Sequence, residues 1–221
     1  RSSDLATRGF DFALARYEND PAPLDFGDAP SPYRTLFADN GARHTASGPT
    51  LGSERDAEAD GQPTAPASGD DTGGSDDEDG VTFGSPIMAG RLGASVTVNV
   101  QNAPSGAKLD AWIDFDGDGC WGGPMEQVFD SVEVASGYNE LTFDVPSWAK
   151  AGSTYARFRL STSGQLGLGG EADDGEVAPE IDQPEGGGLP LGIVGQIAAD
   201  GAGFSRRLNN HQFSLAGFGF F

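Results

Sequence analysis

The chain has 221 residues, 37% of them hydrophobic, and its 34 Asp and Glu outweigh 13 Lys and Arg to leave a formal net charge of −21. That size and apolar fraction suffice for one sizeable domain or two small ones, while the charge repels phosphate backbones and anionic membrane surfaces and so argues against nucleic acid as a partner. No run of about 18 apolar residues exists for membrane insertion, and the single cysteine, Cys120, excludes an intramolecular disulfide.

In chain order, Arg1 opens the sequence without an initiator Met or a signal segment, as in a mature product or a fragment of something longer. Phe10, Phe12 and Leu14 then alternate over a strand's length. The seven residues DFALARY are similar to the core of the bacterial delta-60 repeat, a β-propeller-type unit. PAPLDFGDAPSP, Pro21 to Pro32, is too proline-rich for a helix or central strand and reads as an extended linker entering a domain. Residues 33–80 lack sustained periodicity, and GDDTGGSDDEDG, Gly69 to Gly80, is their acidic extreme.

Beyond it the pattern changes. Ser95–Val100, residues 107–115, Gln127–Val134, Tyr138–Val145 and Ser153–Ser161 alternate apolar and polar residues between Gly, Pro, Ser or Asn turns. Five short, regularly spaced strands predict an all-β fold, an antiparallel β-sandwich of jelly-roll or Ig-like type with long acidic, glycine-rich Ca²⁺-binding loops. In STYARFRLS, Ala156, Phe158 and Leu160 should face the core, leaving Tyr155, Arg157 and Arg159 on the opposite face. Residues 162–188 return to glycine and acid, and the tail from Leu189 to Phe221 is apolar, glycine-rich and aromatic at its end. The expected division is 1–23 as an N-terminal strand and linker, 24–182 as the sandwich, and 183–221 as a tail or extra strand.

The strings LDFGDAP, GARH, LGSERDAEADGQP, GDDTGGSDDEDGV, WIDFDGDG, YARFRLS and DGEV together resemble the GEVED domain over roughly residues 24–177. The resemblance implies a non-catalytic β-sandwich accessory module of bacterial secreted or cell-surface proteins. The chain departs from the family where Ala178 and Pro179 stand in place of the usual ED after Asp174 to Val177. Pro179 cannot donate to a sheet ladder, which puts the closing strand in question.

The acids cluster: residues 54–80 hold ten, 110–130 six and 171–185 seven. Asp114, Asp116 and Asp118 fall on alternate positions at a strand's end with Gly117 and Gly119 between them, a relaxed loop able to offer several oxygens to Ca²⁺. They match the first half of an EF-hand loop; the twelfth position is Met125, with Glu126 one place late. Asp70, Asp71, Asp76, Asp77, Glu78 and Asp79 would repel one another unless cations or arginines such as Arg157 and Arg159 neutralise them, which makes them a second Ca²⁺ candidate. Asp173, Asp174 and Glu176 are a third, able to complete another site from across the sheet.

His44 and His211 are the only histidines, and no G-x-S-x-G, H-E-x-x-H or C-x-x-C occurs, so zinc and nucleophilic chemistry have no anchor and no enzyme is expected. His44 reads as a hydrogen-bonded loop residue. Cys120 reads as a small filler, its thiolate disfavoured by carboxylates. Trp112 and Trp121 flank the acidic loop, where they either stack on a sugar or pack as core.

These readings converge on a calcium-stabilised extracellular structural or adhesion module of a bacterial surface. The alternatives are a subunit of a self-assembling fibre using its terminal segments as donor strands, and a carbohydrate-binding module. The corresponding partners are calcium ions, copies of the chain or neighbouring domains, or glycans.

Overall fold

The computed structural model describes residues 22–178 apart from 56, 66, 68, 70–79, 86 and 153. Its strands are β1 (Leu24–Phe26), β2 (Ala42–Thr45), β3 (Thr50–Leu51), β4 (Val81–Phe83), β5 (Ala94–Gln101), β6 (Ala107–Ile113), β7 (Gln127–Val134), β8 (Gly137–Phe143), β9 (Ala156–Ser161), β10 (Gly170–Ala172) and β11 (Glu176–Ala178), with one 3-10 turn at Phe37–Asp39. The long strands β5 to β9 are the five that alternation predicts. No helix among the described residues is long and apolar enough to cross a membrane.

Two sheets face each other. In one, β8 runs antiparallel along one side of β5, from Ala94↔Phe143 to Val100↔Gly137, and β3 and β4 lie in tandem along the other side. The second has the order β11-β9-β6-β7, every pair antiparallel. Because side chains alternate across a strand, one face of each sheet is apolar. Leu51, Val96, Val98 and Val100 from the first sheet and Leu109, Ala111, Ile113, Phe158 and Leu160 from the second share one buried cluster. Phe143 packs edge-on against Phe83 and Phe129, with centroids 6.0 and 6.2 Å apart.

A third, smaller sheet lies against β9 and β11 on the side away from the core. It is ordered β1-β2-β10, antiparallel at β1 and β2 but parallel at β2 and β10, a local departure from the expected all-antiparallel pairing. All six residues of β9 are buried as a result. Arg157 and Arg159 do lie opposite the core, as predicted, yet each is only 1% exposed.

The proline-flanked segment from Pro21 to Pro32 is therefore more than a linker. Phe26 and Ala29 within it are buried, and β1 pairs with β2 through Leu24↔Thr45 and Phe26↔Arg43. Strands of two to four residues are too short to show a period in sequence, which is why β1 to β4 escape that test. The closing strand also forms: β11 pairs with β9 as far as Ala178↔Phe158, immediately before Pro179.

Many acids of this chain are buried and serve the backbone. Asp25 accepts from Val177 N–H at 2.7 Å, Asp110 from Ser131 N–H at 2.8 Å and Leu166 N–H at 3.2 Å, and Glu176 from Leu51 N–H at 3.0 Å. Each carboxylate satisfies donors that the irregular connections leave without a ladder partner. The acidic composition is thus partly internal stapling of loops.

Candidate metal centre

Strand β6 delivers its last residue, Ile113, into the core, and the chain then bends around the next side chain. Asp114, fully buried, gathers the backbone of its own loop: Oδ1 accepts from Gly117 N–H at 2.6 Å and Asp118 N–H at 3.3 Å, and Oδ2 from Gly119 N–H at 2.9 Å. The Tyr33 hydroxyl adds a fourth bond to Oδ2 at 2.6 Å. Gly117 and Gly119 take φ of 62° and 84°, which a side chain would resist. Pro32 closes on Gly119 so tightly that an added Cβ would meet its Cγ at 2.3 Å.

Around this turn the carboxylate oxygens of Asp114, Asp116 and Asp118 converge to within 4.8 Å of one another. Asp116 Oδ1 is buried and has no hydrogen-bond partner among the described residues. Asp118 accepts from Cys120 N–H at 2.9 Å, and hydrogen bonding from Cys120 lowers its pKa, with Lys150 adding attraction. This is the one such group of three or more ligating side chains among the described residues.

Glu126 stands behind the trio. It is fully buried at the start of β7, with Oε1 accepting from Phe115 N–H at 3.1 Å and Oε2 from Gly123 N–H at 2.7 Å. Burial pushes its carboxyl up, and the charges of Asp114 and Asp116 push it further. Its geometry is that of a brace under the loop.

The other predicted acids have different places. Asp70, Asp71, Asp76, Asp77 and Asp79 lie outside the described residues. Asp173 is exposed. Asp174 ties β9 to the next turn, accepting from Thr162 N–H at 3.0 Å and Thr162 Oγ1–H at 2.7 Å, and Glu176 holds β3 as described. Among the described residues, Asp173, Asp174 and Glu176 are not gathered into a second cluster.

Trp112 and Trp121 are 4% and 3% exposed, so neither presents an open indole face to a sugar ring. Trp121 is stacked between Tyr33, at 4.3 Å between centroids, and the Arg157 guanidinium, 4.1 Å from the ring centroid. Cys120 is exposed rather than a filler. A bond from Gly122 N–H favours its thiolate, but the hydrogen bond with Asp118, burial and the Asp118 and Glu126 charges outweigh it and push the thiol up.

Sequence reasoning reads Arg157, Arg159 and His44 as neutralising or loop residues. The structure makes them the seam between the second sheet and its cover. Arg159 Nε–H donates to His44 Nε2 at 3.0 Å, so His44 is the neutral tautomer with Nδ1–H donating to the Asp174 carbonyl at 2.8 Å. Burial holds the His44 pKa well below 6.5, and the Arg159 charge lowers it further. An unfolded His takes up a proton near pH 6.5 whereas folded His44 stays neutral, so the unfolded state gains as pH falls through that value. Stability should therefore fall as pH is lowered through 6.5. Thermal melting at pH 7 and 5 checks this. His44→Gln should flatten the difference, and an equally steep loss in that variant refutes the assignment.

Residues 108–178, from β6 to the end of β11, match the family model of the GEVED domain. No match was found among curated proteins or among solved structures.

Proposed function

We propose that this chain, which carries a GEVED domain over residues 108–178, is a non-catalytic structural or adhesion module of a bacterial surface or secreted protein whose 114–118 loop is braced by Ca²⁺. The observation that carries the reading is the convergence of one carboxylate oxygen each from Asp114, Asp116 and Asp118 within 4.8 Å, together with a buried Asp116 Oδ1 that lacks a partner among the described residues. An oxygen-only donor set suits a hard cation, and the irregular loop suits Ca²⁺ better than the strict octahedron Mg²⁺ demands. The raised Cys120 thiol is a poor competitor for softer metals.

A bound ion would neutralise three carboxylates that otherwise repel one another, and would satisfy the orphaned Asp116 oxygen. Asp114 already spends both oxygens on the loop's own N–H groups and on Tyr33. That leaves a weak, extracellular-type site, roughly 10⁻⁴–10⁻³ M in dissociation constant, which fits a brace and not a cytosolic sensor.

At free Ca²⁺ a hundredfold above the dissociation constant, linkage predicts a gain of about 2.7 kcal/mol over the EGTA-treated protein. Thermal melting in the two media reads it as an upward shift of several degrees. Asp116→Asn should abolish the shift while leaving the melting temperature in EGTA near that of the parent. An identical melting temperature with and without Ca²⁺ would sink the proposal.

A further inference from the structure

The two long edge strands, β7 and β8, meet at one flank of the sandwich and differ in how their backbones end. β7 is interrupted: its pairing with β6 shifts register between Leu109 and Ala111, Ser131 takes a φ of 51°, and Ser131 N–H is held by Asp110. Such a bulge blunts an edge against further pairing. At β1, β3 and β11, N–H groups are likewise taken by carboxylates, Phe26 by Glu58, Leu51 by Glu176 and Val177 by Asp25.

β8 carries no such device. In β5, Asn99 N–H donates to Gly80 O, Asn99 O accepts from Gly52 N–H and Ser95 O from Gly84 N–H, so the odd-numbered residues serve the β3 and β4 side. The even-numbered ones serve β8 through Phe143, Leu141, Asn139 and Gly137. That register turns the N–H and C=O of Tyr138, Glu140 and Thr142 away from the sheet, and among the described residues none of these groups has a partner. The strand contains no proline and no residue of positive φ after Gly137. Beside it, Val128, Val132 and Leu141 pack on the core while remaining only half-buried, so the flank between the sheets is incompletely covered.

We propose that this edge accepts an extended strand from a second copy of the chain, drawn from residues 208–221, which lie outside the described residues. The segment reads LNNHQFSLAGFGFF, with Phe213 and Leu215, then Phe218 and Phe220, at alternate positions and no acidic residue. Alternate apolar side chains would extend the core face over Val128, Val132 and Leu141 while the backbone pairs with Tyr138, Glu140 and Thr142. Charge favours the same match. Residues 127–149 contain Asp130, Glu133, Glu140 and Asp144 without a base, whereas residues 201–221 contain Arg206 and Arg207 without an acid. Antiparallel pairing of β8 with its own copy centred on Glu140 would set that carboxylate against itself, which is unfavourable. The described residues end at Ala178 in β11, the edge opposite β7 in its sheet, and donation of a later segment to the β8 edge of a neighbour is a head-to-tail contact that propagates. The inference does not rest on the Ca²⁺ reading.

Light scattering after size-exclusion of the full chain, over a hundredfold range of concentration, tests it. A mass above one chain that rises with concentration is expected. Thr142→Pro removes an outward N–H without taking a bond from the β5–β8 ladder, and should restore a single-chain mass with circular dichroism unchanged. An excess of synthetic peptide 208–221 should dissolve the assemblies, and the same peptide N-methylated at alternate amides should bind at least tenfold more weakly, a readout independent of whether the proline variant folds. A single-chain mass at every concentration overturns the proposal, as does methylated peptide that competes as well as the parent peptide.

Discussion

Arg159→Met is expected to lower the stability of the domain by roughly 4–5 kcal/mol, the largest effect of any single substitution considered for this fold. The reason is the number of acceptors that depend on one side chain. Arg159 donates to His44 Nε2 at 3.0 Å and to the carbonyls of Gly167, Gly169, Arg43 and Gly170 at 2.7, 3.1, 3.2 and 2.9 Å. These groups come from β2, β10 and the loop before β10, so a single guanidinium ties the covering sheet to β9. Methionine preserves much of the volume but leaves the acceptors buried without donors, each at a cost of about 1–3 kcal/mol, partly relieved where water enters. Burial and the nearby Arg157 charge push the Arg159 guanidinium down to about 9, so it remains charged at neutral pH. Arg159→Lys keeps the charge but has a compact three-donor head in place of the planar fork, and should recover less than half the loss. Urea denaturation of the three proteins reads both values. An Arg159→Met midpoint within error of the parent would show that the seam contributes nothing.

Gly175→Ala is expected to cost roughly 3–4 kcal/mol, from backbone strain and a steric clash together. The residue lies in the turn between β10 and β11 with φ of 98°, and an added Cβ would meet Leu160 O at 1.8 Å and His44 Nδ1 at 2.9 Å. Its N–H donates to Ser47 O at 2.7 Å. The obstructing atom is the carbonyl of a central strand, so the turn must move away from β9, carrying β11 with it. Chemical denaturation again measures the loss. Gly137→Ala is the internal control, since that glycine has φ of 99° but open space around its Cβ position. It should cost only the strain component, about 1–2 kcal/mol, and equal losses at the two positions would remove the steric argument.

How much of this was legible in the sequence depends on length and periodicity. The strands β5 to β9 are long enough to show alternation, and the apolar sets Val96, Val98, Val100 and Leu109, Ala111, Ile113 announce their own buried face. The Asp114, Asp116, Asp118 triplet was equally readable, because its spacing and its glycines are local properties of one loop. Glu126 is named from sequence as a further metal-ligand candidate for that loop, whereas its bonds to Phe115 N–H and Gly123 N–H make it a support beneath the turn.

What the chain determined by itself, then, is the all-β character, the core face of its long strands and the oxygen-rich turn, all consequences of contacts or dihedrals within a few residues. What only the tertiary structure decided is the third layer. The short strands β1, β2 and β10 have no period to read, and their pairing sets Arg43 against both Phe26 and Glu171 from opposite ends of the domain. That layer turns the outer face of β9 from a polar surface into a buried seam and draws His44 onto Arg159 across 115 positions of sequence, while the loop residues Ala29, Tyr33 and Leu168 pack with Trp112 and Trp121. The edge position of β8 among the described residues is decided at the same level, since an edge is defined by the absence of a strand beside it and no residue of the strand itself records that.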